Sequence, residues 1–344
     1  MILSKLEERE LNKFILRNDF SEYLKGKNIL VTGSKGIVGS GIIKWILHLN
    51  DTINLNCHII ASSRNDKRPD YIEENDFITY CKFGEEKKSI PNKLDYIVHT
   101  AAPTSNKVFQ ANPVESLDVI ISGTKSMLEL AKEKDAEIIY ISSEEAYGTP
   151  NIEGAIDETF VGSVDSLNIR SCYPLGKKVA ELMCKSYFME YGTKVKIIRP
   201  TVILGLWQEY DSVKVEAEIL RCILENKNLF MKSDGSTKKC VIYSLDCISA
   251  IFTVLFKGVP GEAYNATNPE TFCSVKERAY SAFKKFNPNI TIEFANIDES
   301  TKSGYLPKRQ LLEDISKICK LGDWKPIADM DYIYKIDIER FKNC

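Results

Sequence analysis

Short apolar runs alternate with helical patterns over the first two thirds of the chain, and this alternation predicts the main secondary-structure elements. The apolar runs that we predict as strands are 28–31, 57–61, 96–99, 137–141 and 194–198. The segments between them include an apolar helix over 39–49 and the end of another helix at 127–134. Strands that alternate with helices form parallel βαβ units with right-handed crossovers. We therefore predict an α/β fold with a doubly wound parallel sheet, in which any ligand lies at the carboxyl ends of the strands.

The alternation is absent at the N-terminus and weakens after about residue 202. At the N-terminus, apolar residues recur at helical spacing and predict an amphipathic helix that packs on the main body. These residues are Leu3, Leu6, Leu11, Phe14 and Ile15. The elements expected after residue 202 are helices over 215–224, 244–256 and 306–319 and a β-like stretch within 287–294. We divide the chain into a helical extension (1–25), an α/β domain (26–200) and a smaller C-terminal lobe (201–344) with segments that return to the α/β domain.

Composition narrows the class of protein. The 344 residues are 44% hydrophobic and 27% charged, as in an ordinary globular protein. A net charge of -2 argues against broad nucleic-acid or membrane surfaces and leaves room for a local phosphate groove. The ten cysteines form no Cys-x-x-Cys pair, and with three histidines they show no zinc-ligand spacing. The N-terminus has no signal-peptide pattern, and no apolar run is long enough to span a membrane. We expect a cytoplasmic protein with reduced thiols, no metal, and no nucleic-acid or membrane partner.

A glycine-rich turn links the first predicted strand to the helix after it. Gly33, Gly36 and Gly39 stand at Gly-x-x-Gly-x-x-Gly spacing within 31–39. Glycine allows a tight turn and lets the backbone approach a diphosphate closely. The helix N-terminus adds unpaired N–H groups and the positive end of its dipole. Between a strand and a helix, this spacing predicts a dinucleotide site, so residues 26–200 are expected to form a dinucleotide-binding Rossmann domain.

The end of the second predicted strand, Ser63 and Arg64, bears on which dinucleotide binds. An acidic residue at such a strand end contacts the adenosine ribose of NAD. This strand ends without one, although Asp66 is close. Arg64 can pair with the 2′-phosphate of NADP or face solvent as an ordinary surface arginine. The choice between NAD and NADP therefore stays open.

Two further motifs carry groups suited to proton transfer. Ser143, Glu144 and Glu145 directly follow a predicted strand. Tyr173 and Lys177 are four residues apart where a helix opens, so one helical face can carry both. The pKa of a free tyrosine, about 10, is too high for a base at neutral pH, but a nearby lysine charge and a positively charged nicotinamide favour the phenolate. Two carboxylates beside a substrate can divide the roles of acid and base. Each motif alone also fits a plainer interpretation, a helix-surface pair or a solvated acidic turn.

The order of these motifs resembles extended short-chain dehydrogenases/reductases of the NAD-dependent epimerase/dehydratase family, which modify nucleotide sugars. The similarity covers roughly 27–326. Besides the motifs above, the residues that carry the similarity are His99-Thr100-Ala101-Ala102, the run 142–148, Arg199-Pro200, Asp234-Gly235-Ser236, Tyr243 with Asp246, and Asn265-Ala266-Thr267-Asn268. The run 170–173, Arg-Ser-Cys-Tyr, looks closest to UDP-glucuronate decarboxylases. The run 143–145, Ser-Glu-Glu, looks like the Thr-Asp-Glu trio of sugar-nucleotide 4,6-dehydratases, whereas the decarboxylases usually have a non-acidic residue in place of Glu144.

The resemblance implies roles for the residues of these motifs. Tyr173 would take the C4 hydroxyl proton while the C4 hydride passes to the nicotinamide. Lys177 would hold the nicotinamide ribose and tune Tyr173, and Ser143 would orient the hydroxyl. The 4-keto sugar then acidifies its neighbouring C–H bonds, so that elimination, decarboxylation or epimerisation can follow. In a dehydratase, Glu145 would be the base and Glu144 the acid.

The resemblance also implies binding residues. For the cofactor, tightly bound NAD or NADP, they are Gly33, Ser34, Lys35, Gly36, Ile37, Val38, Gly39, Ser63, Arg64, Thr100, Ala101, Ala102, Ile141, Tyr173, Lys177, Pro200 and Val202. For the nucleotide-sugar substrate they are Thr104, Ser105, Lys214, Lys239 and Arg309. Three departures from the family pattern are Ile120 in place of an asparagine, Lys239 in place of an arginine, and 202–206 in place of Asn-x-x-Gly-Pro. Lysine lacks the bidentate fork with which arginine binds phosphate.

These observations favour an enzyme that transiently oxidises the sugar at C4, as a 4,6-dehydratase or an epimerase. A UDP-glucuronate decarboxylase-like enzyme and a non-catalytic dinucleotide-binding sensor are the alternatives. Retention of Ser143, Tyr173 and Lys177 together argues against the sensor. The resemblance further implies a homodimer formed through helices near 114–134 and 173–191.

Overall fold

The structure, a computed structural model, describes residues 3–65, 67–69, 72, 75–150, 153–295 and 310–342. The strands are β1 (Asn28–Thr32), β2 (His58–Ser63), β3 (Ile78–Lys82), β4 (Tyr96–His99), β5 (Glu137–Ile141), β6 (Ala155–Ile156), β7 (Val195–Pro200), β8 (Val202–Leu204), β9 (Leu229–Met231), β10 (Lys238–Tyr243), β11 (Ala263–Ala266), β12 (Asn268–Ser274), β13 (Ile292–Phe294) and β14 (Gln310–Glu313). The helices are α1 (Lys5–Ile15), α2 (Ser21–Leu24), α3 (Ile37–Ile53), α4 (Asn106–Ala111), α5 (Pro113–Lys134), α6 (Cys172–Tyr191), α7 (Val215–Glu225), α8 (Ser244–Lys257), α9 (Val275–Phe286), α10 (Ser316–Cys319) and α11 (Met330–Lys342).

Seven parallel strands form the larger sheet, in the order β11-β7-β5-β4-β1-β2-β3. Successive residues of β1 face opposite sides: Ile29 packs in one apolar cluster with Trp45 of α3 and Phe252 of α8, while Leu30 packs in the other with Met127 of α5. Helices therefore cover both faces, and the predicted doubly wound Rossmann sheet is confirmed. The strand order reverses between β1 and β4, which places a ligand crevice at their carboxyl ends.

The smaller lobe is built on a second sheet. Its strands follow the order β12-β10-β14-β6, with β8 paired to the other part of β10. Strand β10 is antiparallel to β12 and parallel to β8 and β14. The chain returns to the larger sheet through β11, which pairs with β7. The return of β11 agrees with the expectation that C-terminal segments rejoin the first domain, while the three-part division itself stays a prediction.

The N-terminal helix α1 packs on the α/β body as predicted. Ser4 and Glu7 form a capping box at its start, which satisfies two backbone N–H groups that a helix leaves unpaired. Leu11 and Phe14 are buried, and the ring of Phe14 meets the edge of Trp45 at 5.4 Å between centroids. The sequence before β1 is thus part of the core.

The predicted last helix over 306–319 is wrong. Residues 306–309 lie outside the described residues, and 310–313 form β14, which pairs with β10 and β6. Within the rest of the predicted segment, the helical part is Ser316–Cys319, α10. The last helix is α11, Met330–Lys342. Leu311 is buried in a small cluster with Tyr147 and Ile156, so distant partners decide this strand, and local periodicity does not reveal them. The β-like stretch expected within 287–294 is β13, Ile292–Phe294, which follows α9.

Candidate active site

The three glycines of the turn between β1 and α3 are required for different reasons. Gly33 has φ +65, and a Cβ there would lie 2.5 Å from the Thr100 hydroxyl oxygen. A Cβ on Gly39 would overlap the carbonyl oxygen of Gly33. A Cβ on Gly36 would meet only that same oxygen, at 3.4 Å. Gly33 and Gly39 therefore allow the turn to close, whereas Gly36 leaves its outer side open to a ligand.

The start of α3 can receive a phosphate group. Gly36 caps the helix without a side-chain hydrogen bond, so the first N–H groups, those of Ile37 and Val38 among them, are not capped by a side chain. The buried hydroxyl of Ser34 has no hydrogen-bond partner among the described residues. The neighbouring Lys35 ammonium contacts the Asn65 side chain. This cradle fits the diphosphate of a dinucleotide.

Side-chain hydrogen bonds fix the end of β2 and the loop that follows it. The Ser63 hydroxyl donates to the carbonyl oxygen of Asn65 at 2.5 Å, and Arg64 is exposed. The Ser62 hydroxyl donates at 2.6 Å to the buried carboxylate of Glu86. Glu86, which follows β3, also accepts the Gly84 N–H, so its carboxylate is held within the protein. Asp66 lies outside the described residues.

The residues after β4 line the same crevice. The Thr100 hydroxyl donates to the Thr32 carbonyl oxygen at 2.6 Å, and the Ala101 N–H donates to the Thr32 hydroxyl at 3.2 Å. Farther along, Ser105 caps α4 without a side-chain hydrogen bond and Thr104 is exposed. Both hydroxyls therefore remain available to a ligand.

Tyr173 and Lys177 lie on α6 near the end of β5. The Lys177 ammonium donates to the carbonyl oxygen of Ile141 at 2.7 Å and lies 5.7 Å from the centre of the Tyr173 ring. Burial raises the pKa of Tyr173 above its usual value, the charge of Glu145 adds to this, and a hydrogen bond with Ser143 acts in the opposite direction. Burial lowers the pKa of Lys177 to about 7. Burial therefore outweighs the hydrogen bond with Ser143 and the charge of Arg170, which both lower the pKa of Tyr173.

The two adjacent carboxylates lie in different surroundings. Glu144 is buried and accepts a 2.8 Å hydrogen bond from the hydroxyl of Thr201, directly after β7. Glu145 accepts two hydrogen bonds, both of 2.7 Å, from Nη2 of Arg170. The Thr201 hydroxyl and the charge of Lys214 therefore act on Glu144, whereas the guanidinium of Arg170 binds Glu145 directly, so the two carboxylates have different partners. Sequence reasoning placed Arg170 in a family motif but did not identify it as the partner of Glu145, and it missed Thr201.

A second ion pair, between Glu181 and Arg199, stabilises the turn that follows β5. The Glu181 carboxylate accepts hydrogen bonds from Arg199 at 2.9 and 2.7 Å and from the Ser142 hydroxyl at 2.5 Å. The phenol of Tyr147 donates to the Asn265 side chain at 2.6 Å. Several residues of the motifs shared with the family therefore stabilise the turn after β5 and have no direct part in the proposed proton transfers.

Two of the predicted diphosphate ligands lie near one buried carboxylate. Glu216 contacts the Lys239 ammonium at 3.3 Å and Arg278 at 2.8 Å. Burial alone raises the pKa of Glu216, but Lys239 and Arg278 together lower it to about 2. Lys214 caps the helix that carries Glu216, and burial lowers its pKa. The fifth predicted substrate residue, Arg309, lies outside the described residues.

The profile of the NAD dependent epimerase/dehydratase family matches residues 29–267. The chain belongs to this family. Among curated proteins it is similar to UDP-glucuronic acid decarboxylase 3 of Arabidopsis thaliana, with 28% identity over 304 residues that cover 87% of this chain and 84% of the relative. It is also similar to UDP-glucuronic acid decarboxylase 1 of Danio rerio, with 26% identity over 311 residues, 89% of this chain and 70% of the relative.

Solved structures of other members share the fold. A dTDP-glucose 4,6-dehydratase from Bacillus anthracis in complex with NAD has a TM-score of 0.74 and 22% identity, and covers 92% of this chain and 97% of its own. A UDP-glucuronic acid 4-epimerase from Bacillus cereus in complex with UDP-glucuronic acid and NAD has a TM-score of 0.74 and 21% identity, with 92% and 99% covered.

Within this member of the epimerase/dehydratase family, other kinds of site find no support in the described part of the chain. No group of three or more His, Cys, Asp or Glu side chains in that part could hold a metal ion. None of its helices is long and apolar enough to cross a membrane. The nine cysteines that the structure covers are free.

Proposed function

We propose that the protein is an NAD-dependent enzyme that oxidises the sugar of a nucleotide sugar at C4 and completes a 4,6-dehydration. The observation that carries this proposal is the convergence of Ser143, Tyr173 and Lys177 on one crevice, with Glu144 and Glu145 in unlike surroundings beside them. A serine, a tyrosine and a lysine suit proton removal from a hydroxyl, and two unlike carboxylates suit elimination.

The first step uses the tyrosine group. NAD, held at the glycine turn, would supply reversible hydride transfer between its nicotinamide and the sugar. Tyr173 removes the C4 hydroxyl proton, and Ser143 orients that hydroxyl. Lys177, fixed by the Ile141 carbonyl, holds the nicotinamide ribose. The glycine turn and Ser34 hold the diphosphate, with Thr100, Ala101, Ala102, Pro200 and Val202 lining the remaining wall.

Elimination then uses the carboxylates. Glu145 removes the C5 proton, which the neighbouring C4 ketone acidifies, and Glu144 protonates the C6 hydroxyl so that it leaves as water. Proton return from Glu145 to C5 restores the base, and the cycle closes when Tyr173 releases the C4 hydroxyl proton to solvent and Glu144 takes up one proton from solvent. The net change is the loss of one water molecule, with the cofactor regenerated.

A decarboxylase is the second candidate, and a specific observation favours it. Arg170 belongs to the run 170–173, which looks closest to UDP-glucuronate decarboxylases, and the relatives named above are such enzymes. Glu144 weighs against this reading, because a buried carboxylate disfavours a second one, that of a uronic acid, nearby. A 4-epimerase would use Ser143, Tyr173 and Lys177 without either glutamate as an acid or base.

One screen separates these candidates. The protein is incubated with UDP-glucose, dTDP-glucose, GDP-mannose and UDP-glucuronate, with NAD and NADP tested separately, and products are identified by mass spectrometry. A product lighter by one water, with the alkaline ultraviolet absorbance of a 4-keto sugar, is the expected result. Released carbon dioxide would point to the decarboxylase, and an isomer of unchanged mass to the epimerase. Tight cofactor binding without any turnover would favour the sensor.

The substrate residues and the assembly belong to the same proposal. Lys214 and Lys239 bind the diphosphate of the nucleotide sugar, with Arg309 as a further ligand, and Thr104 and Ser105 contact the sugar. The protein forms a homodimer through α5 and α6. Val179, Leu182 and Met189 support this assembly, because they lie on α6 at helical spacing and are 42%, 67% and 70% exposed.

A further inference from the structure

Arg170 lies at the centre of the candidate site. It belongs to the single turn Ile169–Ser171 that precedes α6, and its N–H donates to the Asn168 side chain at 2.9 Å. The arginine is buried, three residues before Tyr173. This turn therefore places a cation between the tyrosine and the acidic residues after β5.

Contacts of the guanidinium connect two candidate catalytic residues. Its Nη2 contacts both oxygens of Glu145 at 2.7 Å. Its carbon lies 4.9 Å from the centre of the Phe109 ring, and Phe109 stacks on Tyr173 at 4.6 Å with 18° between the rings. Because one nitrogen serves both oxygens, the carboxylate is fixed in orientation while part of its roughly four lone-pair sites stays open to another proton.

The contrast with Arg199 shows that this ion pair differs from a purely structural one. Arg199 uses Nε and Nη2 on Glu181 and Nη1 on the carbonyl oxygen of Glu158 at 3.1 Å. The Nη1 of Arg170, in contrast, is buried and has no acceptor among the described residues. Buried donors in native proteins are nearly always paired, so Nη1 is expected to have an acceptor beyond the described residues, such as water or a ligand.

We propose that Arg170 is the positioning residue for Glu145, and that its Nη1 donates to an oxygen of the bound sugar. The arginine thereby couples sugar binding to the placement of the C5 base. This role rests on the proposed 4,6-dehydration. Proton removal at C5 then depends on Arg170, whereas hydride removal at C4, which uses Tyr173, does not.

The test separates the two steps in the holoenzyme with UDP-glucose, dTDP-glucose and GDP-mannose. Arg170→Lys keeps the charge and loses the fork, and Arg170→Gln loses both. In each variant we expect deuterium uptake from solvent at C5 to fall by about 100-fold, the lower end of what a positioned base contributes. Single-turnover formation of reduced cofactor should fall by less than about threefold. The Kd of the nucleotide sugar should rise by about tenfold in Arg170→Gln, the usual scale for one lost charge-assisted hydrogen bond.

Two controls separate position from folding. Lys196→Met removes another buried ion pair, that with Glu137, far from the crevice, and should lower the melting temperature without a selective loss at C5. Added guanidinium should restore C5 exchange to Arg170→Ala, which a misfolded protein would not show.

The outcomes distinguish this role from the proposed function. Equal losses at C4 and C5, or no loss at C5, would overturn the positioning role while wild-type turnover stands. An unchanged Kd in Arg170→Gln would overturn the donation from Nη1. A wild-type protein that turns over none of the three sugars would overturn the proposed function and the role of Arg170 with it.

Discussion

The ammonium of Lys177 lies 2.7 Å from the carbonyl oxygen of Ile141, in a site where burial lowers the pKa of that lysine to about 7. The unfolded chain therefore binds more protons than the folded one between about pH 7 and the ordinary lysine value near 10.5. The free energy of unfolding therefore rises as pH increases through that window. Below the window, the folded protein bears the full cost of burying the charged Lys177 ammonium. Burial of this ammonium therefore costs stability, and the cost is greatest below pH 7.

Lys177→Met should consequently be inactive and more stable than the wild type at pH 6. The advantage should shrink by up to about 1.4 kcal/mol per pH unit above pH 7, because the wild-type penalty disappears. Urea unfolding at several pH values measures this gap. Lys125→Met, at an exposed position on α5, should show no such dependence. A stability difference between Lys177→Met and the wild type that stays constant with pH would contradict the lowered pKa of Lys177.

Tyr173→Phe should lower turnover by roughly 100- to 10,000-fold, the range that a positioned acid or base contributes. Cofactor affinity should stay nearly unchanged, because the phenyl ring keeps its stacking on Phe109. Steady-state kinetics and cofactor titration measure the two effects. Tyr191→Phe, an exposed change on the same helix, serves as the control and should have wild-type kinetics. Unchanged turnover in Tyr173→Phe would remove this residue from the mechanism.

Much of the larger domain is predictable from the sequence because its signals are local. The strands β4 and β5 have the predicted bounds, and the spacing of Tyr173 and Lys177 is fixed by helix geometry. Residues 310–313 are not predictable in this way, since their strand exists only through pairing with β10 and β6. A short apolar run does not reveal distant partners.

In the candidate site, too, some features are predictable from the local sequence and others depend on distant parts of the chain. Motif order locates Ser143, Glu144 and Glu145, but their partners arise elsewhere in the chain: Arg170 is 25 residues from Glu145, and Thr201 is 57 residues from Glu144. The pKa of Tyr173 is equally non-local, because burial by the whole site outweighs the hydrogen bond with Ser143 and the charge of Arg170. The distant hydrogen-bond partners and the raised pKa of Tyr173 arise only when the chain folds, so the spacing of residues along the sequence does not predict them.

Glu144→Gln and Glu145→Gln should both permit C4 oxidation and block the steps after it. The reason is that hydride removal uses Tyr173, whereas elimination needs both carboxylates. Reduced cofactor should therefore accumulate, visible by its near-ultraviolet absorbance, while the dehydrated product falls by roughly 100-fold or more. Glu153→Gln, at an exposed position, is the matched control. Normal product formation in Glu145→Gln would exclude it as the base.

Leu182→Glu should convert the proposed homodimer to monomers, because it places a charge in the middle of the exposed apolar stripe of α6. Sedimentation velocity measures the change in mass. Lys185→Glu, a charge change one turn along the helix, is the control for altered surface charge. A dimer that persists in Leu182→Glu would place the interface elsewhere.

Gly36→Ala and Gly39→Ala should separate cofactor binding from folding. A Cβ at Gly36 meets one atom at ordinary distance, whereas a Cβ at Gly39 overlaps the backbone of Gly33. Gly39→Ala should therefore destabilise the protein by roughly 1–3 kcal/mol, as overpacking does, and lower NAD affinity as well. Gly36→Ala should keep its melting temperature and still bind NAD more weakly, because the methyl group occupies the approach of the diphosphate. Calorimetric titration with NAD beside thermal unfolding checks both variants. Wild-type NAD affinity in a folded Gly36→Ala protein would mean that the dinucleotide does not lie on this turn.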